Sequence, residues 1–178
     1  WSVNCQGTMS STHARLYSIR GNLLEVLAEL DVVFPVLHGT FGEDGTLQGV
    51  LEMADIAYVG AGVLGSSVGM DKVLFKDVMR ANNLPVLESV LLLRSEIEGD
   101  IDAALAKAEA AAIYPLFVKP ANLGSSVGVS KCRSRSDLME GLMDAARFDR
   151  RVLVERGVQA REIEVSVLGN DDPVVSLP

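Results

Sequence analysis

Lys119 is the residue whose surroundings most demand a chemical explanation. It ends the apolar run Leu116-Phe-Val-Lys119 and is followed by Pro-Ala-Asn-Leu-Gly124-Ser125-Ser126-Val127-Gly128. A strand delivers the ammonium, proline stops the ladder, and a loop of small residues leads back into a second strand. Burying an ammonium in such a run costs on the order of several kcal/mol unless an anion meets it. Glycines let backbone N–H groups approach an anion closely, two hydroxyls add donors without bulk, and the lysine adds a point charge. Phosphate is the anion that this set suits. The bland alternative is a hairpin with a flexible Gly/Ser turn, which would be preferred for an arbitrary Gly-Ser-Ser; the lysine in the strand tips the balance.

Other residues gain meaning beside it. Lys72 follows a capping Asp71, and a cation in the first turn of a helix is unfavourable unless it faces an anion. His38, in His-Gly-Thr-Phe-Gly-Glu43-Asp44-Gly, sits just past the carboxyl end of a strand, where α/β sheets place ligands. Taken alone, such a histidine is more often structural, and Glu43 and Asp44 can simply serve a helix dipole. Glu155 and Glu162 bracket a short irregular stretch between two strands, which by default is a solvated hairpin edge. The run Gly60-Ala-Gly62-Val-Leu-Gly65 is a formal GxGxxG after a strand. A dinucleotide fold would need an acid at the end of the next strand, and Glu88 lies inside one. No GxxxxGK[ST] phosphate loop occurs.

The elements that would position these residues alternate in α/β order. Residues 1–14 show no useful period. Leu23–Leu30 has helical spacing, and Asp31–Leu37 reads as a buried strand. Thr46 is expected to cap a helix over Leu47–Ala54, and a strand over Ile56–Val59 ends in the turn Gly60-Ala-Gly62. Strand, loop, helix, strand implies a parallel sheet. A helix over Lys72–Asn82 then opens a different pattern: strand Val86–Leu93, helix Asp102–Ala112, strand Leu116–Lys119, hairpin partner Val127–Lys131, helix Ser136–Ala146, and strands Val152–Glu155 and Glu162–Val167. These runs divide the chain into lobes at 1–70, 71–154 and 155–178. Gly-Ser-Ser-Val-Gly occurs at both 65–69 and 124–128 with unlike flanks, so it is read as coincidence.

Composition bounds the function. With 48% apolar residues among 178 the chain can bury a core, and a net charge of −8 disfavours nucleic-acid and anionic-membrane partners. It does not disfavour ATP, which needs only a few local cations. Cys5 and Cys132 form no metal or disulfide framework, which fits a reducing cytoplasm. No apolar run reaches membrane-spanning length. The chain opens at Trp1 and stops at Pro178, directly after the strand-like run Asp172–Leu177, and both ends read as cut.

Together these segments resemble the D-alanine–D-alanine ligase family of the ATP-grasp superfamily. The matching pieces are His38-Gly-Thr-Phe-Gly-Glu-Asp-Gly-Thr-Leu-Gln-Gly49, Tyr58-Val-Gly-Ala-Gly62, Ser67-Val-Gly-Met-Asp-Lys72, Val118–Gly128, and Val152-Leu-Val-Glu155 followed by Arg161-Glu162. They stand in the family's order and spacing over about residues 31–170. The resemblance implies an amino-terminal parallel-sheet lobe, followed by the first, α+β lobe of an ATP-grasp domain and the start of its large lobe. It implies that Lys72 and Lys119 hold the ATP phosphates and that Gly124, Ser125, Ser126 and Val127 close over them, with Ser125 also organising the substrate side. Glu155 with the backbone of Arg156 and Val158 would read the adenine edge, and Glu162 the ribose. His38 and Glu43 would lie on the substrate side, His38 beside the first D-alanine and the transferred phosphate.

The activity implied is ligation of two D-alanines through an acyl phosphate, for peptidoglycan precursors, in a cytoplasmic enzyme that can form a homodimer. The family's opening strand and its glycine-rich loop find no counterpart in residues 1–30. The family's lid and magnesium ligands are expected past Pro178, so no metal ligand is named in this chain, and the 178 residues alone are expected to be inactive. D-Lactate or D-serine as second substrate remains open at this level. So does a non-catalytic nucleotide-binding remnant.

Overall fold

A computed structural model describes residues 30–124 and 126–178, preceded by two strands, β1 (Ser2–Cys5) and β2 (Arg15–Ser18). The helix expected over Leu23–Leu30 lies outside the described residues except for Leu30. So does Ser125.

The first sheet has the order β2-β1-β3-β4, with β3 at Val32–Pro35 and β4 at Ala57–Tyr58. β3 and β4 are parallel, as the strand–loop–helix–strand order requires, while β1 runs antiparallel to both β2 and β3. The strand at Ser2–Cys5 was not expected: four residues hold two alternations, too few to stand out as a period. Between β3 and β4, α1 (Thr46–Met53) lays Leu47 and Leu51 on Val33 and Ile56 to form a small core. Thr46 does not cap this helix. Gly45 is the N-cap, at φ 91°, and Asp44 Oδ1 accepts the Thr46 N–H at 2.9 Å.

Helix α2 (Val63–Met70) occupies a stretch after the Gly60-Ala-Gly62 turn for which the sequence reading assigned no element. Gly65 and Gly69 lower its propensity and Ser66 is its sole buried residue, so no apolar stripe announces it. Asp71 then separates it from α3 (Lys72–Ala81), which ends one residue earlier than expected.

The second sheet comprises β5 (Ser89–Leu93), β6 (Leu116–Pro120), β7 (Ser130–Cys132) and β8 (Arg151–Arg156), antiparallel throughout in the order β5-β8-β6-β7. One face packs on helices α4 (Arg94–Gly99), α5 (Ile101–Ala111) and α6 (Arg135–Phe148). Leu92, Leu105, Leu116, Val118, Leu138, Leu142, Val152 and Val154 fill that interface. Strand period two then sends Phe117 and Lys119 to the other face. β7 starts later than the Val127 expected from sequence. Ser126 at φ 59° and Gly128 at φ 67° keep the chain turning until Val129 donates to the Ser126 carbonyl. A strand over Glu162–Val167 is not formed. Residues 157–166 join no ladder, and only Val167–Leu168 pairs, as β9, with Val174–Val175, β10. The expected boundary at 154/155 falls inside β8.

Candidate active site

Register sets the lysine face. Phe117 lies opposite Glu155, and Lys119 opposite Leu153. α3 covers part of this face, with Val73 packed on Ala121 and Leu153. Lys72 and Lys76, four residues apart on one side of α3, thereby come over the same strands.

Lys119 Nζ is hydrogen-bonded to Glu155 Oε1, and Lys76 Nζ lies 3.1 Å from Glu155 Oε2 while donating to the Leu87 carbonyl at 3.2 Å. Glu155 is only 6% exposed. Burial pushes its carboxyl upward, but the hydrogen bond and charge of Lys119, reinforced by those of Lys76, outweigh this and hold it below the usual glutamate value. The strand lysine thus has a carboxylate, Glu155, beside it. The Lys119 and Lys131 ammonium groups each sit 5.7 Å from the centroid of the Phe117 ring, a cation–π arrangement.

Lys72 is placed differently. Its Nζ donates to the carbonyls of Leu123 and, at 3.5 Å, Ala121. Burial, and then the charge of Lys119, lower its pKa; Asp71, Asp149 and Glu155 only partly oppose this. Two cations from separate elements therefore crowd one place, with carbonyl oxygens as the direct partners of one of them. That electrostatic situation improves when an anion enters.

The start of α3 is fixed by a polar network that sequence reading missed. Asp71 Oδ1 caps the helix through Val73 N at 3.1 Å and Leu74 N at 2.9 Å. Its Oδ2 takes the Arg151 guanidinium and the Asn122 amide, the latter at 3.1 Å. Asn122 N donates to Asp149 at 2.8 Å, and Lys72 N to the Ala121 carbonyl at 3.0 Å. Sequence gave the cap; Arg151, eighty residues away, carried no local signal.

The phosphate-loop candidate meets the histidine loop. A Cβ on Gly124 would lie 3.3 Å from Gly39 Cα, so the two backbones touch. Glu43 accepts the Gly39 N–H through Oε2, and its Oε1 lies 4.0 Å from His38 Nδ1. Glu43 therefore ties its own loop and lies near the histidine, while Asp44 serves the backbone ahead of α1 through Phe41 N and Thr46 N. A cleft of about 560 Å³ opens between the lobes, walled by Glu43, Gln48, Gly60, Ser66, Lys72 and Gly124. Gln48 donates to the Gly42 carbonyl at 3.1 Å, and its buried Oε1 has no partner. Val127 N donates back to the Gly124 carbonyl, so this N–H faces into the loop. Arg156 N is spent on the Glu88 carbonyl at 3.1 Å. Val158 and Glu162 lie in the exposed stretch after β8. Among the described residues no group of three or more His, Cys, Asp or Glu side chains could hold a metal ion.

Topology removes the dinucleotide alternative. The glycines do join β4 to α2, but the next strand, β5, belongs to the other sheet and runs antiparallel to its neighbour. The βαβ unit that the fingerprint needs is missing from this stretch.

A family model for the D-ala D-ala ligase N-terminus matches residues 5–61, and one for the D-ala D-ala ligase C-terminus matches residues 78–178. The chain belongs to the D-alanine–D-alanine ligase family. The amino-terminal match begins at Cys5, in β1, so it extends the likeness upstream of the segments near residues 31–170 that carry the resemblance in sequence. The D-alanine–D-alanine ligase of Natranaerobius thermophilus is 51% identical over 154 residues, 86% of this chain and 42% of that protein. That of Acetivibrio thermocellus is 53% identical over 148 residues, 83% and 39%. Among solved structures, the D-alanine–D-alanine ligase from Coxiella burnetii matches with a TM-score of 0.72 at 42% identity, covering 83% of this chain and 43% of that one. The VanG D-Ala:D-Ser ligase from Enterococcus faecalis matches at 0.75 and 39%, covering 83% and 42%. The chain spans about two-fifths of the length of these relatives. Its architecture, an amino-terminal lobe with the β3/β4 parallel pair followed by an α+β ATP-grasp portion, is that of the family.

Proposed function

We propose that this chain supplies the substrate lobe and the first ATP-binding lobe of a cytoplasmic enzyme that joins two D-alanines at the expense of ATP, for peptidoglycan synthesis. The observation that carries the proposal is Lys72 at the cleft wall beside Gly124, with its pKa lowered by burial and then by the charge of Lys119, a setting that favours an incoming anion. Lys72 and Lys119 take the phosphates. Gly124, Ser125, Ser126 and Val127 cover them, and Ser125 also orders the substrate side. Glu155 and the backbone of Arg156 and Val158 read the adenine edge, while Glu162 takes the ribose hydroxyls. His38, near Glu43, lies beside the first D-alanine.

A carboxylate resists an amine because oxide is a poor leaving group. In the proposed reaction a carboxylate oxygen of the first D-alanine attacks the γ-phosphorus and ADP departs, leaving an acyl phosphate. The amine of the second D-alanine then attacks the acyl carbon, phosphate leaves, and the nitrogen loses a proton. The chain's contribution is positioning and charge neutralisation in a site closed to water. Magnesium, when bound, would neutralise the transferring phosphate; the side chains described here do not assemble a site for it. We take a lobe boundary at 70/71, supported by the separate sheets and the break at Asp71; the division between 71–154 and 155–178 cuts β8 and has no such support. A homodimer through the amino-terminal lobe belongs to the same reading, and sedimentation velocity tests it.

D-Serine or D-lactate as second substrate is the nearest alternative, and the likeness to a D-Ala:D-Ser ligase supports it. Phosphate release by the full-length enzyme with D-alanine, paired in turn with D-alanine, D-serine and D-lactate, separates them. Thermal protection of the chain by ATP but not by NAD supports the nucleotide assignment, and the reverse refutes it.

A further inference from the structure

We propose that Lys76 is a positioning residue of the nucleotide site, holding Glu155 in place while Lys119 transfers from that carboxylate to phosphate. The inference rests on the ATP reading above and deepens it. Glu155 is shared, one oxygen with Lys119 and the other with Lys76 at 3.1 Å. Lys119 has three N–H donors, so it can turn toward a phosphate, and doing so weakens its hold on Glu155. Once it leaves, a carboxylate that is 6% exposed needs another cation or a proton.

Lys76 is built to be that cation. Its side chain is 12% exposed, and the Leu87 carbonyl at 3.2 Å fixes the ammonium from the far side. It stands on α3, which the Asp71 cap and Arg151 lock to β8. The other groups around Glu155 cannot substitute. Lys72, also on α3, points to the Ala121 and Leu123 carbonyls and, in the reading above, is taken by the phosphates. On β5, Ser89 lies opposite Glu155 and accepts from Arg80 at 3.0 Å, and Arg80 is also paired with Asp77. Lys131 on β7 sits over the Phe117 ring, and Arg156 on β8 faces Glu88 at 3.9 Å. Asp71 and Asp149 act on Lys72. Lys76 thus lets a single carboxylate remain ionised through the exchange.

The test uses inorganic tripolyphosphate, which engages the phosphate lysines without an adenine to read, and isothermal titration calorimetry of the chain. Lys76→Arg should bind it within about threefold of wild type. Lys76→Met should bind about tenfold or more weakly at pH 8, because Lys119 can leave only by stranding Glu155. Its deficit relative to wild type at the same pH should shrink toward pH 5, where a proton can replace the missing cation; the ratio cancels titration of the ligand itself. Adding Glu155→Gln to Lys76→Met should restore affinity to within about threefold, since no charge is then stranded. A residue that merely packs α3 would show neither the pH dependence nor the rescue. If Lys76→Met alone does not fold, Glu155→Gln is compared with Lys76→Met/Glu155→Gln, and equal affinities are expected. Wild-type binding with Lys76→Met unaltered at pH 8, or unequal affinities in the Gln background, would overturn this role alone. Failure of wild type to bind either tripolyphosphate or ATP would overturn the nucleotide reading and this role together.

Discussion

Replacing Asp71 with alanine tests whether the network at the start of α3 holds the lobe together. One oxygen of Asp71 caps the helix through two N–H groups, and loss of such a cap costs about 1 kcal/mol. The other oxygen neutralises Arg151 and takes the Asn122 amide. Stranding a fully buried cation costs about 3–5 kcal/mol, but Arg151 keeps a quarter of its side chain in solvent, so about 2 kcal/mol is the appropriate share. The expected loss is therefore about 3 kcal/mol, a large part of the roughly 5–15 kcal/mol typical of a domain. Asp71→Asn keeps an acceptor for the cap and should lose about half as much. Urea unfolding followed by far-UV circular dichroism reads both variants, and a double-mutant cycle with Arg151→Gln isolates the coupling. Asp71→Ala within about 0.5 kcal/mol of wild type would refute the argument, because a surface cap alone costs more than that.

Two further outcomes follow from the same geometry. Gly45 holds φ 91°, and a Cβ there would sit 2.5 Å from Ser67 Oγ and 2.8 Å from the Val63 carbonyl. Gly45→Ala should lower stability by about 1–3 kcal/mol in the same urea assay, and a neutral result would show that the loop relaxes freely. Glu155 has its folded-state pKa held down by Lys119 and Lys76 after burial has pushed it up. Its stabilising contribution is therefore fully present above the unfolded glutamate pKa of about 4.3 and disappears as pH falls through the lower folded value. Comparing unfolding of wild type and Glu155→Gln between pH 7 and pH 3, the gap should narrow with acid; a constant gap would mean the carboxylate is not stabilised by the lysines.

The parts legible in the sequence were those with local causes. The apolar run of β6, the Asp71 cap and the turn after Lys119 each follow from neighbours along the chain. Lys72 and Lys119 stood out because a cation in a first turn or an apolar strand is costly where it stands. What fills that cost locally was not legible. Glu155 reaches Lys119 through strand register across thirty-six positions, and Arg151 reaches Asp71 across eighty. Lys76 did carry a signal, its spacing of four from Lys72 on one side of α3, which places both over the same strands. Helix α2 and strand β1 were hidden for opposite reasons, one by its glycines and serines and the other by its length.

The central claim is that Lys119 exchanges Glu155 for a nucleotide phosphate. ATP binding to the chain, measured by calorimetry for wild type and Lys119→Ala, tests it most directly. The account predicts binding to wild type and a loss of about 1–3 kcal/mol, roughly five- to 150-fold in affinity, in the variant. Equal affinities would contradict it, and Lys119 would then be only the strand's partner for Glu155.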